Sequence, residues 1–344
     1  MNLNRRSFLA ALTATAGAFS FSSRAFAQSP FIIPTYGGTW AKFWEETLVP
    51  GFAEATGIQG RLDVGLGKDF VSKIRAGGAA SPYSVFMGNE HIAALLRAEG
   101  FFEPIDMAKV PNAAKLHDGL LNAGNNGLRG IVSPIGLAYR TDMVETVPKS
   151  WTDLWDNPEF KGRIGLYQIG NAGALLFLRL TAKLYGSGDL DIDTAFTKLK
   201  ELAPFTQASW SGEVSTSLMR GDIAIAPVDW TEILTLQDKG APVEIVVPEE
   251  GVLAYEQSFN IVKSGAGKDD AYAYINYLIN ADVQANMAKV FYTSPVNTES
   301  VVDADLAKRL SIVGENMSRI IRFDWDPYVD IAADVADRWN RESG

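Results

Sequence analysis

The chain has 344 residues, with 31 basic and 41 acidic side chains, a net charge of −10, two histidines and no cysteine. The missing cysteine excludes disulfides, thiolate metal sites and a cysteine nucleophile. The acidic balance repels phosphate backbones, so no nucleic-acid partner is expected.

Residues 1–27 read as an export signal: Arg5-Arg6 and Ser7-Phe8-Leu9 precede an Ala-rich apolar run, and Ala25-Phe26-Ala27 forms a small-residue cleavage site. The paired arginines match the twin-arginine pathway. The apolar run is too short for a membrane anchor, and there is no lipoprotein cysteine. A mature soluble chain starting near Gln28, free in the periplasm, is expected. Residues 1–27 hold three arginines and no acids, so the remainder carries 28 basic and 41 acidic residues, a net charge near −13. Its length exceeds what one core usually organises, which predicts two domains.

Phe31-Ile32-Ile33 predicts a first strand. Apolar residues at Trp40, Phe43, Trp44, Leu48 and Phe52 then predict a helix ending at Gly57, with a kink expected at Pro50. Strands are expected at Arg61–Val64 and Ser84–Met87, and helices at Phe70–Ala76 and Ile92–Glu99. This β-α-β-α-β order predicts a parallel α/β sheet. Ile131–Tyr139 breaks the rhythm and reads as a crossover to a second series. That series comprises a strand at Arg163–Leu166, helices at Ala172–Tyr185 and Asp193–Leu202, and strands at Ile223–Pro227 and Val243–Val247. Val252–Ser258 is the second crossover candidate, followed by an apolar run at Phe259–Val262 and one long helix over Asp270–Val290.

The sequence is poor in catalytic motifs, and no enzyme is expected. There is no HExxH or G-x-S-x-G pattern. Asp189-Leu190-Asp191-Ile192-Asp193 lacks the glycine and closing Glu of a calcium loop, and reads as a solvated turn with Asp193 capping the next helix. Gly265-Ala266-Gly267-Lys268 lacks the hydroxyl residue of a phosphate-binding loop. No cofactor or metal is expected.

Aromatic residues do gather at predicted loop tips: Tyr36 and Trp40 around Gly37-Gly38, then Trp210, Trp230, Tyr255 and Tyr292. Ligands of open α/β sheets bind beyond the carboxyl ends of strands, and aromatic faces there suit apolar bodies and cations. Trp44, Trp151, Trp155, Trp325 and Trp339 read as core.

Several stretches together resemble the periplasmic solute-binding proteins of ABC importers, in the spermidine/putrescine-binding group (extracellular solute-binding family 1). They are Tyr36–Trp40, Pro134–Tyr139, Ser150–Asp156 with Phe160-Lys161-Gly162, Met219–Ile225 leading to Trp230, Pro248–Gly251 and Pro295-Val296-Asn297. The resemblance implies a type II two-lobed periplasmic-binding-protein fold, two α/β domains joined by a hinge of two or more crossovers. The expected lobes are 28–137 with 259–315, and 138–258 with 316–344. It also implies a monomer that closes on one small solute and delivers it to a membrane permease.

The chain departs from that group where its cations are held. Gly37-Gly38 stands where the group places an acid, Ile169-Gly170-Asn171-Ala172 replaces acids after Leu166, and Gln257 stands at the acidic position of the second crossover. The stacking residues Trp230 and Tyr255 and the polar position Asn89 are kept, with His91 two residues on. A long polycation would meet too little negative charge.

Gly37-Gly38-Thr39 leads from a strand into a helix start, where free N–H groups favour an anionic oxygen; alternatively the glycines only permit a tight turn. Asp229, Glu213 or Glu256 could hold an amine, with Asp229 favoured beside Trp230. A small zwitterion such as γ-aminobutyrate, an opine or an aminophosphonate fits. The ligand-site expectation is therefore Tyr36, Gly37, Gly38, Trp40, Asn89, His91, Asn171, Trp210, Glu213, Asp229, Trp230, Tyr255, Gln257 and Tyr292. Three alternatives stay open: a polyamine-binding protein, a ferric-ion-binding protein and an exported α/β hydrolase. Phe291 beside Tyr292 spoils the tyrosine pair of the ferric binders.

Overall fold

The computed structural model describes residues 30–342. The expected export signal lies outside the described residues. Among those described, no helix is long and apolar enough to cross a membrane.

The strands in chain order are β1 (Phe31–Thr35), β2 (Gly60–Val64), β3 (Val85–Asn89), β4 (Phe102–Glu103), β5 (Leu128–Arg140), β6 (Gly165–Tyr167), β7 (Thr206–Ala208), β8 (Ile225–Asp229), β9 (Val243–Val246) and β10 (Leu253–Val262). β1 pairs with β2 and β6 with β7, both in parallel. The main sheet differs from the parallel expectation. Its order is β3-β10-β5-β8, and each of these pairings is antiparallel. The cause is the two crossover segments, which become long strands paired with each other. Leu253 lies opposite Ile135 and Gln257 opposite Ile131, with a register shift between Gln257 and Ser258. The C-terminal segment runs alongside, Val252 bridging to Ile320.

The long strands divide their side chains between two cores. Leu128, Ile131 and Val132 pack with Ile33, Trp44, Phe52 and Phe259. Ile135, Leu137 and Ala138 pack with Leu166, Leu178, Phe196 and Ile225. A smaller cluster holds Phe70, Tyr83, Phe86 and Leu96.

Local departures have local causes. The first helix runs from Thr39 to Thr56, but its turn Trp44–Leu48 widens to π geometry immediately before Pro50. Proline lacks the N–H that an α turn would use and crowds the carbonyl four residues back, and a wider turn relieves both. Gly57 ends the helix in the left-handed region at φ 76°. The single helix expected over Asp270–Val290 is two, Lys268–Leu278 and Ala281–Phe291, because the Asn280 side chain accepts the Asp282 N–H and caps a new start. Asp191, rather than Asp193, caps the Ile192–Glu201 helix by accepting the Thr194 N–H.

Candidate functional site

Four strands end at residues that converge. Asn89 is the last residue of β3, Tyr167 of β6 and Asp229 of β8, and Tyr36 follows β1 by one. Each is followed within a few residues by a helix start. The carboxyl ends of the strands therefore face one region, and β10 runs through it carrying Tyr255 and Gln257.

Gln257 gathers one half. Tyr36 donates its hydroxyl to Gln257 Oε1 at 2.6 Å, and Gln257 Nε2 donates to Asn89 Oδ1 at 3.0 Å. Trp40 meets the Tyr36 ring edge-on, with centroids 6.4 Å apart, and itself stacks on Phe291 at 4.1 Å. The Trp40 indole therefore orients Tyr36 from behind.

Tyr255 gathers the other half. Its hydroxyl donates to Asn171 Oδ1 at 2.7 Å. Asn171 also caps the Ala172–Tyr185 helix through the Gly173 N–H, so its side chain is fixed from two sides. Tyr167 packs edge-on against Tyr255, with its hydroxyl 3.0 Å from that of Ser211. Tyr167 and Ser211 belong to the cluster but were not among the expected site residues. The available signals were the position of Tyr167 just before the Ile169–Ala172 loop, and that of Ser211 at a helix start.

Asp229 completes this half. It is 7% exposed, and burial pushes its carboxyl up to about 6, against a hydrogen bond from Ser211. Its Oδ1 also accepts the Glu232 N–H at the start of the next helix. The other two buried acids are neutralised. Glu90 pairs with Arg97 at 2.8 Å, and Glu256 sits between Arg129 at 2.9 Å and Arg322 at 2.8 Å. Among the described residues, no basic side chain pairs with Asp229.

His91 stands beside this cluster, its ring 5.6 Å from Trp325, and burial pushes its imidazole down to about 4. It lines one cavity with Asn89, Ala172 and Tyr255. It is therefore neutral at pH 7.

Other expected residues lie elsewhere. Trp230 is 2% exposed and belongs to the core around Trp44, its indole N–H donating to the Arg309 carbonyl at 3.1 Å. Its ring occupies space left by Gly136, where a Cβ would come within 2.4 Å. Trp210 is 59% exposed and folds over Gly212. Glu213 accepts the Ser209 N–H at 2.6 Å and stiffens that loop. Glu256 is fully committed to its two arginines. Tyr292 donates to Asp238 at 2.8 Å while Arg309 covers its ring.

Gly37 and Gly38 are exposed, and Gly38 adopts φ 65°, ψ −135°, a conformation open essentially to glycine. The turn thus has its own reason for glycine at 38. The first N–H groups of the helix that follows have no intrahelical acceptor, and no side chain caps them.

Residues 47–310 match the family model of bacterial extracellular solute-binding proteins. The chain belongs to that family. The spermidine/putrescine-binding periplasmic protein of Escherichia coli is 27% identical over 226 residues, 62% of this chain and 63% of that protein. The alignment thus spans somewhat less than two thirds of this relative's length. The γ-aminobutyric acid-binding protein of Pseudomonas aeruginosa is 24% identical over 336 residues, 94% of this chain and 93% of that protein. Among solved structures, an extracellular solute-binding protein from Bordetella parapertussis matches with a TM-score of 0.82 at 21% identity, covering 92% of this chain and all of that one. A GABA receptor matches with a TM-score of 0.78 at 22% identity, covering 92% and 98%. The fold is the two-lobed α/β fold of the periplasmic binding proteins.

Proposed function

We propose that this chain is the periplasmic solute-binding component of an ABC importer, and that its solute is a small amine with a neutral or anionic far end, resembling an amino acid. The observation that carries this reading is Asp229. It is the one buried acid, among the described residues, without a cationic partner, and it stands beside three hydroxyls at a strand end. A buried carboxylate in that setting is costly until an opposite charge arrives. A ligand ammonium supplies that charge, and Tyr167 and Tyr255 supply faces for it.

The opposite half is built from Tyr36, Asn89 and Gln257, all uncharged, so a second ammonium has no partner there. That favours a zwitterion such as γ-aminobutyrate over a diamine. The free N–H groups after Gly37-Gly38 offer a further seat for an anionic oxygen. In this reading the lobes comprise 28–137 with 259–315, and 138–258 with 316–344, with β5 and β10 crossing between them and Trp230 at their junction. Export uses the twin-arginine signal, and the closed monomer docks on the permease.

The relatives' names make polyamine binding the second reading. Thermal unfolding of residues 28–344 against γ-aminobutyrate, other amino acids, aminoethylphosphonate, putrescine and spermidine separates the two. Ligand at ~100 times its dissociation constant adds about 2.7 kcal/mol to the folded state. A rise in Tm with zwitterions alone supports the first reading; a rise with putrescine or spermidine alone overturns it.

A further inference from the structure

We propose that two ion pairs, Arg97–Asp326 and Arg309–Asp238, are matched clasps that hold the empty lobes apart at the cleft, so that a solute closes the protein against them. The inference rests on the lobe division proposed above and adds to it what sets the balance between open and closed protein.

Two helices that start at the candidate site are built alike. Asn89 ends β3 and leads into Glu90–Ala98, and Asp229 ends β8 and leads into Trp230–Asp238. Each helix has nine residues and is followed by a left-handed glycine, Gly100 at φ 77° and Gly240 at φ 78°. The first packs on β10 and the second on β5. Each also divides its faces between two cores. Ala93 and Leu96 pack with Phe70 and Phe86, while Ala94 joins the core around Trp325 and Tyr328. Ile233 and Leu236 pack in the core around Ile225, while Leu234 joins the core around Trp44 and Phe291. His91, Ala94 and Arg97, three apart, thus form one stripe towards the C-terminal segment. Thr231, Leu234 and Asp238 form the matching stripe towards Phe291 and Arg309.

Both stripes end in an ion pair to the other lobe. Arg97 donates to Asp326 Oδ1 from Nε at 2.9 Å and from Nη2 at 2.6 Å. Arg309 Nη2 donates to Asp238 Oδ1 at 2.7 Å. Asp326 rides on a fixed segment, because the buried Arg179 guanidinium lies 4.7 Å from the Phe323 and Trp325 rings and donates to the Asp324 carbonyl at 2.8 Å. The side chains of Asp326 and Asp238 are 57% and 49% exposed, so water can replace either partner and the pairs can open. The helix starts are held by buried contacts instead, Trp230 to the Arg309 carbonyl and Thr231 to the Phe291 carbonyl at 2.6 Å. Nine residues carry each helix about 13 Å from the strand ends, across the long strands. Rocking about β5 and β10 that brings the strand ends together draws the far helix ends apart. The clasps are therefore made in the open form and lost on closure.

The first test needs no solute. The chain has no cysteine, so Lys68→Cys and Thr216→Cys, at exposed positions on helices that begin beyond β2 and β7, put one spin label on each lobe. Pulsed electron resonance measures their separation in residues 28–344 as wild type, Asp238→Asn, Asp326→Asn, both together, and Asp238→Lys with Arg309→Glu. The longer separation is expected to dominate in wild type. Each Asn variant should raise the ratio of short to long separations about two- to fivefold, and the double variant about tenfold. The swapped pair should return the Asp238 clasp to the wild-type ratio. Salt at 1 M should move wild type the same way and leave the double variant unmoved. Unchanged or longer separations in the double variant overturn the proposal, even with a lowered Tm, which marks a merely structural role. A wild type that shows only the short separation overturns it too. In a second arm, calorimetric affinity for γ-aminobutyrate should rise by the same factor as that ratio, and a fall in affinity overturns the clasps. If γ-aminobutyrate does not bind wild type, the small-amine reading is what falls, and the label separations decide the clasps alone.

Discussion

Asp229 and His91 hold opposite ends of the site's pH behaviour. The Asp229 carboxyl titrates near 6 when folded and near 3.8 when unfolded. Between those values the folded state keeps a proton that the unfolded state has lost, so this residue's contribution to stability falls as pH rises, by about 3 kcal/mol in all. Affinity for an ammonium rises over the same window, because the carboxylate forms. Asp229→Asn should weaken amine binding about 100-fold or more, and raise or hold the Tm of the empty protein at pH 8. Its affinity should also lose the rise between pH 4 and 6. Titration calorimetry at several pH values, with melting curves, checks all three. His91 runs the other way. Its imidazole is near 4 when folded and 6.5 when unfolded, so its contribution is full above 6.5 and is lost as pH falls. Trp230 packs in the core, and Trp230→Ala should cost about 3–5 kcal/mol in urea unfolding. A variant of wild-type stability with a lost ligand site would return this tryptophan to the cleft.

At the scale of elements, β10 carries residues of the candidate site and, with β5, the buried charges. Tyr255 and Gln257 meet the cluster described above, while Glu256 between them meets Arg129 and Arg322. Alternation along a strand makes that division: one face carries the hydrogen-bonded cluster and the other ties β10 to β5 and to the C-terminal segment. Glu256→Gln leaves two arginines short of a counter-charge in a buried setting, and should cost about 3–5 kcal/mol. Chemical denaturation measures it, and a cost below about 1 kcal/mol would show that Glu90, 3.9 Å from Arg129, takes over. Several element ends were legible from the sequence. Ala172–Tyr185 forms as its periodicity predicts, and Gly57 closes the first helix. The break at Asn280 was not, since Asp270–Val290 is apolar-periodic throughout and a single cap interrupts it.

At the scale of the molecule, two cores share two long strands, and the solute binding proposed above predicts closure. Small-angle scattering of residues 28–344 should show a smaller radius of gyration with a saturating ligand than without it. An unchanged radius alongside a clear Tm rise would mean that the unliganded protein is already closed.

The sequence by itself determined the fold class and the solute-binding family, and it marked most of the residues that meet: Tyr36, Asn89, Asn171, Asp229, Tyr255 and Gln257. Those signals are local, carried by strand ends, helix starts and motif order. Tertiary structure alone decided which aromatic faces what. Trp230 sits in core because Gly136 on a distant strand leaves room for it, and Tyr292 turns to Asp238 and Arg309. It also decided which acid stays unpaired, because Glu256 meets its arginines only once β5, β10 and the C-terminal segment lie side by side. Charge pairing depends on distances between residues far apart in the chain, and periodicity and composition do not contain those distances.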